Sequence, residues 1–267
     1  MDIHLITTDC SAFRLIDRIA GKCRLTRVIV PENRIMTSKI QEVLRESERR
    51  ALPVSIQSIR SPLCDDHPLA DIAVSWLYSQ ILYPEDLARY AVGTLNMHGG
   101  KIPHYRGANV LQWAIINGEN ELGITWHEMV EQVDAGTIWA EDAIPIGEDA
   151  TGADVRQQMI ARGIDLFPLA LERMTSRSGG RKPDLAGGRV WPSRRPADGQ
   201  ISPDLPEKSL RNLVRALCPP WPAAFLEIGG KRVEVYEVHS ASGPNRIPYL
   251  TSEGRTVYLS IAEGNSR

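Results

Sequence analysis

The sequence has no apolar run that approaches the roughly 20 residues needed to span a bilayer. Its N-terminus carries an acid at position 2 and no basic segment ahead of an apolar one, so it does not resemble a secretory signal. The cysteines form no Cys-x-x-Cys pair and have no regular spacing, which is typical of reduced thiols in a cytoplasmic protein. They are Cys10, Cys23, Cys64 and Cys218. We therefore expect a cytoplasmic protein that does not contact a membrane.

Metal and nucleic-acid chemistry also lack support. The six histidines show neither a His-Glu-x-x-His motif nor paired-ligand spacing, so no metal site is expected. Charge is nearly balanced at net −2, and residues 200–267 contain eight Lys or Arg against seven Asp or Glu. Nucleic-acid affinity rests largely on Lys and Arg that neutralise phosphates, so we expect no nucleic-acid partner. With 267 residues, 42% of them apolar, the chain can bury a normal core.

Short β-branched and apolar runs alternate with helical patterns in the first part of the chain. Strands are predicted at residues 3–7, 26–30, 53–56, 72–74, 94–96, 124–127 and 137–140. Helices are predicted at residues 11–20 and 38–51, after Pro84, and from about residue 150 to 176, where Pro168 should introduce a kink. This alternation predicts an α/β fold, a Rossmann-like and mainly parallel sheet with helices on both faces. In such sheets ligands bind beyond the carboxyl ends of the strands.

The pattern changes after residue 190. One short helix is predicted at residues 209–217, followed by strands at 223–228, 231–238, 249–251 and 256–261, with Gly229-Gly230 as a hairpin signal. We predict a catalytic domain over residues 1–190 and a small β-rich C-terminal subdomain over residues 191–267. An exposed edge of that subdomain would be available for pairing in a homodimer. The Gly-rich, basic segment 176–189 has the composition of a flexible surface loop.

The most informative motif is LNMHGGKIPHYRG, residues 95–107, followed by VDAG around Asp134. Asn96 and His98 flank one residue at the end of a predicted strand, so both side chains leave the strand on the same side. An amide and an imidazole aimed at one point, with a carboxylate supplied from elsewhere, suit a carbonyl that becomes an oxyanion. An Asn-x-His pair alone is more often the end of a strand and the start of a turn.

The wider pattern resembles the folate-dependent formyltransferases. The resemblance runs through LNMHGGKIPHYRGANVLQWAIINGE and GITWHEMVEQVDAGTI, and resumes at SRRPADGQI and NLVRALCPPWPAAFLEIGGKRVEVYEV. Together these segments cover a little under a third of the chain in the family's order. The Gly99-Gly100-Lys101 stretch departs from the family, whose members more often have Ser or Pro and then leucines. This departure alters the turn after His98, so the rim of the pocket does not follow from the resemblance, whereas the chemistry does.

The resemblance implies an enzyme in which a primary amine attacks the formyl carbon of 10-formyltetrahydrofolate. Asn96 would donate a hydrogen bond to the tetrahedral oxyanion, and His98 would stabilise it as an imidazolium. Asp134 would orient and charge-balance His98, raise the pKa of that imidazole, and help to take the proton from the amine. Alone, Asp134 would be read as a loop acid that caps a turn.

The resemblance also implies where the folate and the acceptor bind. The pterin would lie against residues 76–82 and 134–138 and would be recognised largely by their main-chain groups. The residues named for this contact are Trp76, Leu77, Tyr78, Ile81, Leu82, Ala135, Gly136 and Ile138. For the aromatic and apolar members, packing in the core is an equally good interpretation. Candidate acceptor-binding residues are Arg106, Asn109, Trp113 and His127. Arg106 could pin the turn that carries His98 or bind an acceptor phosphate, and His127 could serve a structural hydrogen bond or the acceptor.

Several acceptors remain open at this stage. The near-neutral C-terminal region argues against a methionyl-tRNA formyltransferase, and glycinamide ribonucleotide transformylases usually lack such an extension. The segments SRRPADG and PPWPAAF most resemble the enzymes that formylate nucleotide-linked amino sugars for lipopolysaccharide or O-antigen. A siderophore hydroxyornithine formyltransferase is a further alternative, and so is a folate-binding protein without catalysis. We expect a small-molecule amine, first of all a nucleotide-linked amino sugar.

Overall fold

A computed structural model describes residues 1–57, 69–78 and 80–261, so Cys64 lies outside the described residues. The strands are β1 (Asp2–Thr7), β2 (Arg24–Pro31), β3 (Val54–Gln57), β4 (Ile72–Trp76), β5 (Gly93–His98), β6 (Arg106–Gly107), β7 (Glu121–Glu128), β8 (Ile138–Pro145), β9 (Val190–Trp191), β10 (Ala224–Ile228), β11 (Lys231–His239), β12 (Arg246–Leu250) and β13 (Thr256–Ile261). The helices are α1 (Phe13–Arg18), α2 (Ser38–Arg49), α3 (Pro84–Ala88), α4 (Val110–Ile116), α5 (Gly152–Ser176) and α6 (Glu207–Ala216). No helix of the described residues is long and apolar enough to cross a membrane.

A seven-stranded sheet has the order β3-β2-β1-β4-β5-β7-β8. Strands β3, β2, β1, β4 and β5 pair in parallel, whereas β5 and β7 are antiparallel. The predicted mainly parallel α/β sheet is therefore confirmed. The parallel strands β1, β4 and β5 end at the same edge of the sheet, and Asn96 and His98 lie at that end of β5.

The register between β5 and β7 separates polar from apolar side chains. Asn96 pairs with His127 and His98 with Thr125, while Met97 pairs with Trp126. Because side chains alternate along a strand, Met97 and Trp126 belong to the opposite face from Asn96, His98 and His127. On that opposite face Trp126 stacks on Trp76 with ring centroids 5.8 Å apart.

Helix α4 was not predicted from the sequence. It begins after Asn109, whose φ of 53° is left-handed, and most of its residues are buried. Other predicted helices are close to the observed ones: α1 is shorter than predicted, and α5 is one 25-residue helix with Pro168 inside it. Helix α2 buries Ile40 and Val43, as its spacing predicts.

The C-terminal part contains a four-stranded antiparallel sheet in the order β10-β11-β13-β12. Strands β10 and β11 form a hairpin through Gly229 and Gly230, both with positive φ. The predicted β-rich region with one short helix is thus present as β10–β13 and α6.

Within the described residues the chain forms two compact units. Unit 1 comprises Met1–Arg106, Gly123–Asp142 and Ile160–Arg189. Unit 2 comprises Gly107–Leu122, Ala143–Met159 and Val190–Arg267. The chain therefore passes between the units more than once, and the domain boundary at residue 190 stays a prediction.

The segment from residue 177 to 189 is held at both ends by main-chain hydrogen bonds. Arg181 and Ile138 exchange N–H···O bonds of 2.8 and 2.9 Å. Arg189 donates to Pro103 O at 3.1 Å and accepts from Arg106 N at 3.1 Å. Most of the segment is exposed, as expected of a surface loop, but these hydrogen bonds attach it to β8 and to the turn that follows His98.

Candidate active site

Four polar side chains of unit 1 meet at the carboxyl end of β5. The Asp134 carboxylate lies between two imidazoles, with Oδ2 3.5 Å from His98 Nδ1 and Oδ1 3.3 Å from His127 Nε2. The amide Nδ2 of Asn96 lies 3.1 Å from His127 Nε2. The two histidines are almost completely buried, and Asp134 is only 13% exposed. The three residues predicted to be catalytic are therefore brought together, and His127 joins them.

The main chain determines which ring nitrogens carry hydrogen. His98 Nε2 lies 2.5 Å from the carbonyl oxygen of Tyr105. Because a carbonyl only accepts, Nε2 must hold a hydrogen, and any second proton on His98 must lie on Nδ1, facing Asp134. His127 Nδ1 likewise donates to Glu128 O at 2.9 Å, so its Nε2 is the nitrogen turned to Asn96 and Asp134.

Burial lowers the pKa of His98, while the Asp134 carboxylate acts in the opposite direction and raises it. His127 and Arg106 add to the lowering, and the hydrogen bond to Tyr105 O opposes it. The net shift is downward. The raised pKa that we expected from the carboxylate alone is therefore wrong, because desolvation outweighs the neighbouring charge.

The loop between β7 and β8 holds Asp134 in a constrained conformation. Asp134 has φ 45°, in the left-handed region that Asp tolerates better than most residues. A Cβ on Gly136 would lie 1.9 Å from Glu128 O, so only glycine lets the loop pass this close to β7. Buried Arg106 donates from Nε to Val133 O at 3.0 Å. This contact ties the turn after His98 to the loop of Asp134, which supports the turn-pinning interpretation of Arg106.

The Gly99-Gly100-Lys101 turn packs closely on β7. Thr125 Oγ1 donates to Gly100 O at 2.9 Å. A Cβ on Gly123 would lie 2.6 Å from the Lys101 main chain, so this approach requires glycine in β7. The Gly99-Gly100-Lys101 turn, which departs from the family pattern, therefore packs against Gly123 of the GxTxH strand.

The segment predicted to face the pterin follows β4. Leu77 has φ 49°, and Thr7 and Thr8 anchor the end of β4 by donating to Trp76 O at 3.0 Å and to Leu77 O at 2.5 Å. Leu82 is buried in a cluster against which Tyr78 packs, whereas Ile81 is 79% exposed.

Trp76 is completely buried, and its indole donates to Ser11 Oγ at 2.9 Å while it stacks on Trp126. Its side chain therefore serves the core in this structure, and only its main chain remains a candidate for folate contact. On the other predicted segment, Ala135 is half-buried, and Ile138 is buried next to Trp139.

The two remaining acceptor candidates belong to unit 2. Trp113 stacks on Trp191 with centroids 5.4 Å apart and donates from Nε1 to Pro192 O at 3.0 Å. Asn109 is exposed, and its Oδ1 accepts from Arg194 N at 3.0 Å. Their roles in acceptor binding stay predictions.

The sequence leaves the role of His127 open and does not indicate Tyr105. The signal for His127 was available in the alternation of GITWHE, where Thr125 and His127 share one face of β7. The Tyr105 contact is made by its main-chain carbonyl, so no side-chain pattern could reveal it. Among the described residues, no group of three or more His, Cys, Asp or Glu side chains is arranged to hold a metal ion.

Comparison with protein families identifies two matches in the expected order. The family model described as formyl transferase matches residues 57–171, and the one described as formyl transferase, C-terminal domain, matches residues 194–260. Together the two matches cover about two thirds of the chain.

The relatives include formyltransferases that are named for different acceptors. A methionyl-tRNA formyltransferase from Lactobacillus delbrueckii subsp. bulgaricus is 34% identical over 190 residues, which are 70% of this chain but 60% of that protein. The solved structure of WlaRD, a sugar 3N-formyl transferase with dTDP and 5-N-formyl-THF, has a TM-score of 0.76 at 15% identity and covers 99% of this chain and 98% of its own. An N-formyltransferase from Helicobacter canadensis, in complex with folinic acid and dTDP-3-aminofucose, has a TM-score of 0.75 at 14% identity, with coverage of 97% and 99%. At these identities the structural likeness establishes the fold.

Proposed function

Because the chain belongs to the formyl transferase family, we propose that it transfers the formyl group of 10-formyltetrahydrofolate to the primary amine of a nucleotide-linked amino sugar. The observation that carries the reaction is the position of Asp134 within 3.5 Å of two imidazoles, beside the amide of Asn96. These groups supply a hydrogen-bond donor for an oxyanion and a route for a proton.

In this reaction the amine nitrogen forms a bond to the formyl carbon, and the carbonyl oxygen becomes an oxyanion. The Asn96 amide donates a hydrogen bond to that oxygen, and Nδ1 of His98 stabilises it once it has taken the proton of the amine, in a site from which water is largely excluded. The tetrahedral intermediate then collapses, the bond from carbon to N10 of the folate breaks, and N10 gains a proton as the amine loses one.

The proton relay runs through Nδ1 of His98. Since Nε2 is held by the Tyr105 carbonyl, Nδ1 is the nitrogen that can exchange a proton with Asp134. The lowered pKa of His98 favours the neutral imidazole, whose Nδ1 can accept a proton and then return it.

Two observations support a sugar acceptor. The two sugar-modifying structures have TM-scores of 0.76 and 0.75, against 0.64 for a methionyl-tRNA formyltransferase from Clostridium thermocellum, although all three match along nearly their whole length. Residues 200–267 are close to neutral, which disfavours binding of a polyanionic RNA. Formylation of charged initiator tRNA is the second candidate, and the 34% identity to a methionyl-tRNA formyltransferase favours it.

The test is incubation of the full chain with 10-formyltetrahydrofolate and GDP-, dTDP- and UDP-linked amino sugars, with mass spectrometry to detect the gain of one CO. The Asp134→Asn variant is the matched control for enzyme-dependent transfer. Gain of CO on one sugar and none on charged initiator tRNA supports the proposal. Turnover on the tRNA alone would assign the second candidate instead.

A further inference from the structure

Unit 2 contains a cavity of about 180 Å³ that is partly open to solvent. This volume is smaller than the roughly 300–1,000 Å³ that is typical of sites for drug-sized ligands, so the cavity can enclose a small group rather than a whole cofactor. The described residues that line it, here called the Arg194 cavity, are Asn109, Arg194, Arg195, Pro196, Gly199, Trp221, Pro222 and Ala223. Two of these eight are arginines and none is acidic, so the lining itself carries positive charge.

The Arg194 guanidinium is half-buried, and its Nε is inaccessible to solvent and makes no hydrogen bond within the described part of the chain. A buried donor without an acceptor costs free energy, and the cost is larger for a charged group. Burial lowers the pKa of Arg194, and Asp198 partly offsets this shift. One Asp198 oxygen already accepts from the main-chain N of Arg195 at 2.5 Å.

The other polar wall is held in place by neighbours. Asn109 Oδ1 accepts from Arg194 N at 3.0 Å, which ties the amide to the arginine and leaves its Nδ2 hydrogens as donors. Trp221 also lines the cavity, and its Nε1 lies 3.0 Å from the Gln112 side-chain amide, which accepts its hydrogen when the oxygen faces the indole. Gln112 is buried, so the indole is fixed rather than free to fill the cavity.

We propose that the Arg194 cavity binds an oxyanion, the diphosphate of a nucleotide. Arginine presents donors in a planar fork that matches phosphate oxygens, and an amide donor beside it adds a third contact. A fixed indole and the prolines at 196 and 222 provide an apolar wall for the group attached to the phosphate. This assignment does not rest on the proposed function.

A folate is a second source of oxyanions that this cavity could bind, because its glutamate tail carries carboxylates. We favour the diphosphate because two arginines and an amide line one cavity, and a diphosphate offers more oxygen acceptors at that spacing than one carboxylate. Measuring the binding of pyrophosphate and of folinic acid separately distinguishes the two ligands.

The experiment is isothermal titration of the full chain with inorganic pyrophosphate, with dTDP, UDP and GDP, and separately with folinic acid. Arg194→Gln and Arg195→Gln should each weaken binding of pyrophosphate about ten-fold or more, because charge-assisted hydrogen bonds are lost. Arg255→Gln removes the same charge from an exposed position in unit 2 and should leave that affinity unchanged. Affinity for folinic acid should be the same in all variants.

Thermal unfolding of each variant shows whether a loss of binding comes from a loss of folding. Because Arg195 is exposed, Arg195→Gln still tests the proposal if Arg194→Gln does not fold. Unchanged pyrophosphate binding in a folded variant would overturn the proposal. Loss of folinic acid affinity alone would assign the cavity to the folate carboxylates and overturn it as well. Arginine-dependent pyrophosphate binding without formylation of any amino sugar would support the oxyanion site and reject the proposed function.

Discussion

The imidazole of His127 lies 3.3 Å from the Asp134 carboxylate, so this acid serves two histidines rather than one. The second carboxylate oxygen faces His98, and the Asn96 amide contacts the same His127 nitrogen. A substitution at His127 therefore removes a contact from both Asp134 and Asn96, although His127 itself need not touch substrate.

We expect His127→Phe to lower kcat by about ten-fold or more with little change in KM for either substrate, because Asp134 and Asn96 each lose a partner that orients them. His127→Gln keeps an amide in the same place and should recover part of that loss. Steady-state kinetics of both variants tests this role. Equal losses in the two would show that the residue acts only by filling space.

Asn96→Ala should reduce kcat by about 10² to 10³-fold, since it removes one donor to the oxyanion. The free energy of unfolding should change little, because Asn96 is only partly buried and its neighbours can be hydrated. Single-turnover rates and urea unfolding provide the two measurements. A normal rate in this variant would remove Asn96 from the reaction.

Asp134→Asn should lower the pKa of His98 further, because the carboxylate is the charge that opposes the effect of burial. NMR titration of the histidine ring gives that pKa directly. The same variant should lose about 10² to 10⁴-fold in kcat, the usual contribution of a positioned acid or base. A pKa of His98 that stays the same would contradict the short distance to Asp134.

Stability should depend on pH through His98. Its folded pKa lies below the ordinary value of about 6.5, so the unfolded chain takes up this proton first as pH falls. The contribution is fully present above pH about 6.5 and is lost progressively as pH falls towards the folded pKa. Urea unfolding between pH 5 and 8 should show this slope, and His98→Gln should reduce it. An unchanged slope in the variant would assign the effect to other groups.

Gly136→Ala should destabilise the loop of Asp134 and abolish most activity, because its Cβ would meet Glu128 O at 1.9 Å. Gly147→Ala is the matched control, since its Cβ would be no closer than 3.7 Å to Ala150 Cβ. Activity and thermal unfolding of the two variants should differ clearly. Similar behaviour would mean that the loop can move away from β7.

Much of the sheet was predictable because strand periodicity and turn residues act locally. Helix α4 was missed because VLQWAII is apolar on most sides, and such a run does not distinguish a buried helix from a strand. The return of the chain to unit 1 at Gly123 was also missed, because it depends on contacts distant in sequence.

The meeting of Asn96, His98 and Asp134 was predictable from the combined motif, yet its detailed geometry was not. Asn96 and His98 share a face by strand alternation, which is a local property. The meeting of Asp134 with His127 depends on the pairing of β5 with β7 and on a left-handed residue in a loop. The sign of the His98 pKa shift depends on burial, which sequence spacing does not reveal.

The pairing of Asn96 with His127 also limits how this family can change length. Deleting one residue within β7 would turn His127 to the tryptophan side of the sheet and bring an apolar side chain to the reacting groups. Insertions in residues 108–120 leave the pairing of β5 with β7 intact, because the ladder and not the connection sets which side chains face each other. The connection can therefore change in length while the arrangement of Asn96, His98 and His127 stays the same.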